Sequence, residues 1–259
     1  MTGIPRPDVS LSSVPTPTER LDALSEQYGS DLYVKRDDQT AGIAQGNKVR
    51  KLEYLFDDAI ERGADTVVTC GGLQSNHCRA TAVTARRVGL EPYLLLRGDE
   101  PDVYDGNLLL DHLVGAEVEY ISSEAYYDRR EETFEATATR LEREGRTSYV
   151  IPAGGSNPIG TLGYLRAYEE IRAFSAENDV QFDRIFVATG SAGTYAGLLA
   201  GALYFGDPVD VVGVSVSNYT ESELLEKTER NVAGLSEILG DSAPDPELVP
   251  DNASFVDYL

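Results

Sequence analysis

The sequence predicts an α/β protein in which a mostly parallel sheet carries helices on both faces. Three observations carry the prediction. Short β-branched or leucine-rich runs recur along the chain, a glycine-containing turn tends to follow each, and a stretch of helical hydrophobic period comes next. That alternation is the rhythm of βαβ units, which build parallel sheets. A chain of 259 residues, 41% hydrophobic and 25% charged, is also long enough to bury the core that such a fold needs.

The elements follow in order. Residues 31–36 read as strand-like, and a helix is expected over 47–62, where Val49, Leu52, Leu55, Phe56, Ala59 and Ile60 make one apolar stripe. A strand at 66–69 precedes a helix at 75–88 rich in small residues, among them Ala80, Ala82 and Ala85. Strand 93–96, helix 106–114, strand 118–121, helix 128–144 and strand 148–151 continue the rhythm. The later part holds helix 158–174, strand 185–188, helix 193–204 through Leu199 and Leu203, strand 211–216 and helix 220–239. Folds of this kind place ligands at the carboxyl ends of strands, in the turns that lead to helices.

Composition narrows the function. Against 44 Asp and Glu stand 22 Lys and Arg, a net charge of -22, so nucleic acid is excluded as a partner because binding it needs cations facing phosphates. The only lysines are Lys35, Lys48, Lys51 and Lys227. Acidic composition with scarce lysine points to a protein that works in concentrated salt, where the Debye length falls to about 3 Å and self-repulsion is screened. No window approaches the roughly 18–20 apolar residues of a membrane span, and the polar, Pro-rich stretch 1–20 has no apolar signal region; the expected location is the cytoplasm. Cys70 and Cys78 read as reduced, buried thiols without metal-ligand spacing. His77 and His112 are the only histidines, and no G-x-S-x-G elbow supports hydrolase chemistry.

Three turns are unusual. Gln45-Gly46-Asn47-Lys48-Val49-Arg50-Lys51 opens the helix at 47–62, with Asn47 as N-cap and Lys48 in the first turn, where the helix dipole disfavours an ammonium. Lys51, three residues on, is expected to leave the edge where this turn meets a ligand. Cys70-Gly71-Gly72-Leu73-Gln74-Ser75-Asn76-His77 follows strand 66–69; Ser75 and Asn76 cap the next helix, whose free amides suit a carboxylate. Thr189-Gly190-Ser191-Ala192-Gly193-Thr194 is a Gly/Ser/Thr turn at a helix N-terminus, a cradle for phosphate. It has no P-loop lysine, its glycines at 190, 193 and 197 miss the dinucleotide fingerprint, and the next strand, ending Val214-Ser215-Val216-Ser217, has no acid for a ribose. A phosphate monoester is the guest that remains. A first-turn lysine, an anion site and a phosphate cup without nucleotide features together suggest pyridoxal phosphate.

Gly46-Asn47-Lys48-Val49-Arg50-Lys51-Leu52-Glu53, Gln74-Ser75-Asn76-His77-Cys78-Arg79, Gly154-Gly155-Ser156-Asn157-Pro158-Ile159-Gly160 and Gly190-Ser191-Ala192-Gly193-Thr194 resemble the D-cysteine desulfhydrase and 1-aminocyclopropane-1-carboxylate deaminase family over about residues 12–259. The resemblance implies the tryptophan-synthase-β-like fold, pyridoxal-phosphate fold type II, with two open, mostly parallel sheets flanked by helices. It implies a large domain from 1–50 and 157–259, a small domain at 51–156, and a homodimer. By position, Lys48 resembles the Schiff-base lysine and proton shuttle at Cα, and Asn76 the partner of the cofactor's 3-hydroxyl. Ser75, with the amides around Asn76 and His77, resembles the grip on the substrate carboxylate; the matching serine also counts as a nucleophile or acid in the deaminase branch. Asn47 belongs with this substrate-binding set, and Gly190, Ser191, Ala192, Gly193 and Thr194 resemble the phosphate cup. His77 after Ser-Asn, with Gly106-Asn107-Leu108-Leu109-Leu110-Asp111, favours the desulfhydrase side. The implied reaction is α,β-elimination of D-cysteine to pyruvate, ammonia and hydrogen sulfide, with ring-opening deamination of aminocyclopropane carboxylate as the alternative. Family chains continue past Asp257-Tyr258-Leu259 into a Gly/Tyr-rich loop, which implies a C-terminally truncated chain with its site open on one side. A non-catalytic, cofactor-binding remnant is the third expectation.

Overall fold

In the computed structural model the described residues are 3–258; Met1, Thr2 and Leu259 lie outside them. Near the N-terminus, β1 (Thr18–Arg20) and β2 (Tyr33–Lys35) bracket α1 (Asp22–Tyr28) and pair antiparallel. After α2 (Lys48–Glu61) come β3 (Thr66–Gly72), α3 (Asn76–Arg87), β4 (Glu91–Arg97), α4 (Gly106–Leu113) and β5 (Glu117–Ile121). Then follow α5 (Ser123–Tyr127), α6 (Arg130–Arg143) and β6 (Ser148–Val150). β3 to β6 form one parallel sheet in the order β5-β4-β3-β6.

The chain next forms α7 (Pro158–Asn178), β7 (Arg184–Thr189), α8 (Gly193–Phe205), β8 (Asp210–Ser215), α9 (Glu221–Ala233), α10 (Ser236–Leu239), α11 (Val249–Asn252) and β9 (Ser254–Asp257). β7, β8 and β9 make a second parallel sheet in that order. Each expected strand run falls on a strand.

One expected helix is borne out with a short helix added before it, and one is corrected. The stretch 128–144 is α6 preceded by a separate short α5, which Ser122 caps by accepting from the Ala125 amide at 3.1 Å. The stretch 220–239 ends at Ala233 and resumes as α10 after Gly234, where the Pro158 ring packs so closely that a Cβ would strike it. β1, β2, α1 and β9 complete the architecture.

Packing fixes where α2 begins. Its stripe of Val49, Leu52, Leu55, Phe56 and Ala59 is fully buried in one cluster with Val67 of β3 and Ala80 and Ala85 of α3, while Ile60 is 43% exposed at the rim. On the other side α7 lies against its backbone: a Cβ at Gly163 would strike the Arg50 carbonyl and come within 2.9 Å of the Lys51 nitrogen. The buried Arg50 guanidinium then bridges Asp37 (2.8 Å) and Glu170 of α7 (2.7 Å), and Lys35 binds the same Glu170 at 2.7 Å. Charge-assisted pairs of this kind hold only while every partner is present, so they lock the first turn of α2 in place.

Candidate active site

Four chain segments converge on that first turn. Loop 45–48 is tied to α3 by Arg79, whose Nη2 donates to the Gln45 carbonyl at 2.8 Å. It is tied to α8 by Asn47, whose Nδ2 donates to Thr194 Oγ1 at 3.1 Å. Asn47 Oδ1 in turn accepts from Lys48 Nζ at 3.0 Å. Asn47 is therefore no side-chain cap: it has helical backbone angles and spends both ends of its amide on the site, which corrects the sequence expectation. Burial pulls the Lys48 ammonium down to about 8. A lysine so shifted keeps roughly a tenth of its molecules neutral at pH 7, enough to act as a nucleophilic amine.

Opposite lies the turn after β7. Ala192 adopts the left-handed conformation (φ 66°) and α8 starts at Gly193, so the turn presents the amide end of the helix. Ser156 Oγ accepts from the Gly193 amide at 2.7 Å and donates toward the Ser191 carbonyl at 2.7 Å, joining the 154–156 turn to this edge. A Cβ on Gly193 would come within 2.9 Å of Lys51 Nζ. This overturns the expectation that Lys51 leaves the edge. Its side chain is 1% exposed and its amine donates to the Gly154 carbonyl at 3.2 Å. Burial, with the Lys48 charge beside it, pushes its basicity well below that of a free lysine.

The turn after β3 supplies the third wall. Ser75 caps α3, its Oγ accepting from the Cys78 amide at 3.2 Å. The amides of Asn76 and His77, first in the helix, have no intrahelical acceptor. The imidazole of His77 turns inward: Thr69 Oγ1 donates to the Ile151 carbonyl at 2.8 Å, so His77 Nε2 is the donor in its 2.9 Å bond to Thr69. Burial and the two lysine charges hold this ring neutral, its pKa down to about 3, and what His77 offers at the helix edge is its backbone amide. Cys70 and Cys78 are buried free thiols, and His112 stacks on Tyr104 away from these turns. Lys35 is held by Glu170.

The fit to a phosphorylated guest follows from what is unpaired. Neither Lys48 nor Lys51 has a carboxylate partner among the described residues, and a buried and a half-buried amine one helical turn apart are costly unless an anion joins them. A phosphate dianion at the amide end of α8 would supply that anion, while the missing Cβ of Gly193 lets Ser156 Oγ and Lys51 Nζ close in on the helix start. Lys51, Ser156 and the Gly154-Gly155 turn are the residues to which sequence reasoning gave no role. Their signal was present, a second lysine in a lysine-poor chain and a Gly-Gly-Ser motif.

Paired amines facing a helix-end anion cup suit a protein that keeps a small phosphorylated carbonyl compound beside a reactive lysine. Residues 9–248 match the pyridoxal-phosphate dependent enzyme family, and the chain belongs to it; pyridoxal phosphate is its cofactor and fold type II its architecture. It is 48% identical over 229 residues to a Thermotoga maritima protein named "Putative 1-aminocyclopropane-1-carboxylate deaminase", covering 88% of this chain and 72% of that one. It is 41% identical over 249 residues to a D-cysteine desulfhydrase of Serratia proteamaculans, covering 94% and 73%. The crystal structure of an ACC deaminase homologue superposes with a TM-score of 0.86 at 40% identity, over 97% of this chain and 74% of that one. No helix among the described residues is long and apolar enough to cross a membrane.

Proposed function

We propose that this enzyme is a lyase that converts D-cysteine and water to pyruvate, ammonia and hydrogen sulfide. The observation that carries the site assignment is the pair of amines, Lys51 buried and Lys48 half-buried, without carboxylate partners beside the α8 amide end. Pyridoxal phosphate, when bound, supplies the electron sink that makes a Cα proton acidic. Lys48 is the residue that would hold its aldehyde carbon and carry the proton at Cα, and burial has already lowered its basicity to about 8. Asn47, held at its far end by Thr194, orients the Lys48 amine. Gly190, Ser191, Ala192, Gly193 and Thr194, with Lys51 beneath them, hold the phosphate. Ser75 and the amides of Asn76 and His77 bind the substrate carboxylate, and the Asn76 side chain meets the 3-oxygen of the ring.

The preference for D-cysteine rests on His77 following Ser75-Asn76, the pattern that the resemblance associates with desulfhydrases. Deamination of aminocyclopropane carboxylate is the second reading, favoured by the name of the Thermotoga relative. The same proposal includes a division into 1–50 with 157–259 and 51–156, with the boundary at 50/51 inside α2, and a cytoplasmic homodimer suited to concentrated salt. The test reconstitutes the purified protein with pyridoxal phosphate in molar KCl and offers both substrates in parallel. Sulfide from D-cysteine is expected. Release of 2-oxobutanoate from aminocyclopropane carboxylate without sulfide from D-cysteine overturns the reading, and neither product overturns the lyase itself.

A further inference from the structure

We infer that Asn107, at the start of α4, is a positioning residue that sets which end of the Asn76 amide faces the site. Asn107 Nδ2 donates to the Gln74 backbone carbonyl at 2.8 Å and to Asn76 Oδ1 at 2.9 Å. Its own amide N–H donates to Gln74 Oε1 at 2.8 Å, and Gln74 Nε2 donates to Asp105 Oδ1 at 2.9 Å and the Asp105 carbonyl at 3.2 Å. A backbone carbonyl only accepts, so the Gln74 carbonyl fixes the sense of the Asn107 amide. Asn107 in turn fixes that of Asn76, whose Nδ2 is left as the free end.

The sequence around α4 serves this clasp. Gly106 has a φ of +50°, and a Cβ there would collide with the Gln74 side chain, so only glycine lets α4 start against the turn. Gln74 in effect caps α4 from outside, since Asp105 makes no side-chain cap bond of its own. The stretch Gly106-Asn107 thereby acquires a physical role: it holds the turn that carries Ser75 and Asn76 in one arrangement.

The consequence rests on the proposal that Asn76 meets the ring oxygen of the cofactor. A donor at that negative oxygen stabilises it and makes the neighbouring imine proton easier to lose; an acceptor does the opposite. Asn107→Leu removes both side-chain bonds and frees the Asn76 amide to rotate. Asn107→Asp keeps the side-chain shape but sets an acceptor against both the Gln74 carbonyl and Asn76 Oδ1, so the bond to Gln74 is lost and the Asn76 amide is driven to turn its nitrogen toward the carboxylate and its oxygen toward the ring. A carboxylate in the first turn of α4 also suits the helix dipole, which offsets part of the lost bond to the Gln74 carbonyl.

The experiment titrates the visible absorption band of the cofactor-loaded protein for the parent, Asn107→Leu, Asn107→Asp and Asn76→Ala, with cofactor affinity and melting temperature measured alongside. The expected result is an upward move of the titration midpoint in Asn107→Leu by about half to one pH unit, the size of one neutral hydrogen bond. Asn107→Asp is expected to move it further in the same direction, with a melting temperature close to that of Asn107→Leu, since both lose the bond to the Gln74 carbonyl. Unchanged midpoints in both Asn107 variants, with a shifted Asn76→Ala, overturn the positioning role. An unchanged Asn76→Ala overturns instead the placement of Asn76 at the ring oxygen, and with it the functional reading beneath this inference.

Discussion

Asp111→Asn will make the protein more stable at alkaline pH and will lose that advantage in acid. The Asp111 carboxyl lies between α4 and α3 with no exposed surface, and neither oxygen has a hydrogen-bond partner among the described residues. Burial pushes its pKa from 3.8 up to about 7, with the nearby Arg79 charge opposing the rise only in part. The sign follows from linkage. A group that binds its proton more tightly when folded contributes stability that is complete below its unfolded pKa and is lost as pH rises through the folded value. An offset of about three pH units at about 1.4 kcal/mol each makes the loss about 4 kcal/mol between pH 4 and pH 8, the upper end for a site that does not relax. For a chain of this size that corresponds to roughly 8–16 °C in melting temperature. The assay is urea unfolding of both proteins across that range at fixed KCl, read as the difference between them so that the other carboxylates cancel. The charge is buried, so the difference should persist in molar salt, where surface electrostatics fade. A difference between the two proteins that does not vary with pH would refute the reasoning.

Two further outcomes follow from the site and one from the composition. Lys51→Met should weaken pyridoxal-phosphate binding by about 10- to 100-fold, the scale of one charge-assisted bond to a phosphate, while a borohydride label still forms at Lys48. Gly193→Asp should weaken binding as well, because the added side chain enters the space beside Lys51 Nζ and sets a negative charge against the guest; equilibrium titration with the cofactor checks both. With a net charge of -22, the melting temperature should rise with KCl, and a flat or falling curve would remove the halophilic reading.

Strands β3 to β8 were legible because each is a compact, largely apolar run between turns, whereas β1, Thr18-Glu19-Arg20, is polar and was not, and α2 was legible from its stripe, whose inner residues are all buried. The C-terminal strand β9, four residues long after a Pro- and Asp-rich stretch, was not, since its support, pairing with β8 and contacts to Tyr195 of α8, comes across a long sequence separation. The need for glycine at 234, where helix 220–239 breaks, was hidden as well, since Pro158, which leaves no room for a side chain there, is distant in sequence. In the site, helix geometry correctly separated Lys48 from Lys51 by one turn but judged Lys51 from its own helix alone. The Gly154-Gly155 turn and the start of α8 fold over that second turn and bring the ligand edge to it. Asn47 misled in the opposite way. It has the residue type of a cap, yet its side chain is claimed by Thr194 and Lys48, two partners that only the tertiary fold supplies.

Borohydride reduction of the cofactor-loaded protein, followed by peptide mapping, asks directly whether the site is where these four turns meet. The chain has lysines at 35, 48, 51 and 227 only, so the answer is unambiguous. The pyridoxyl label is predicted on Lys48, in the peptide that contains Gly46 and Asn47. A label on Lys35, Lys51 or Lys227, or no label at saturating pyridoxal phosphate, would contradict the account.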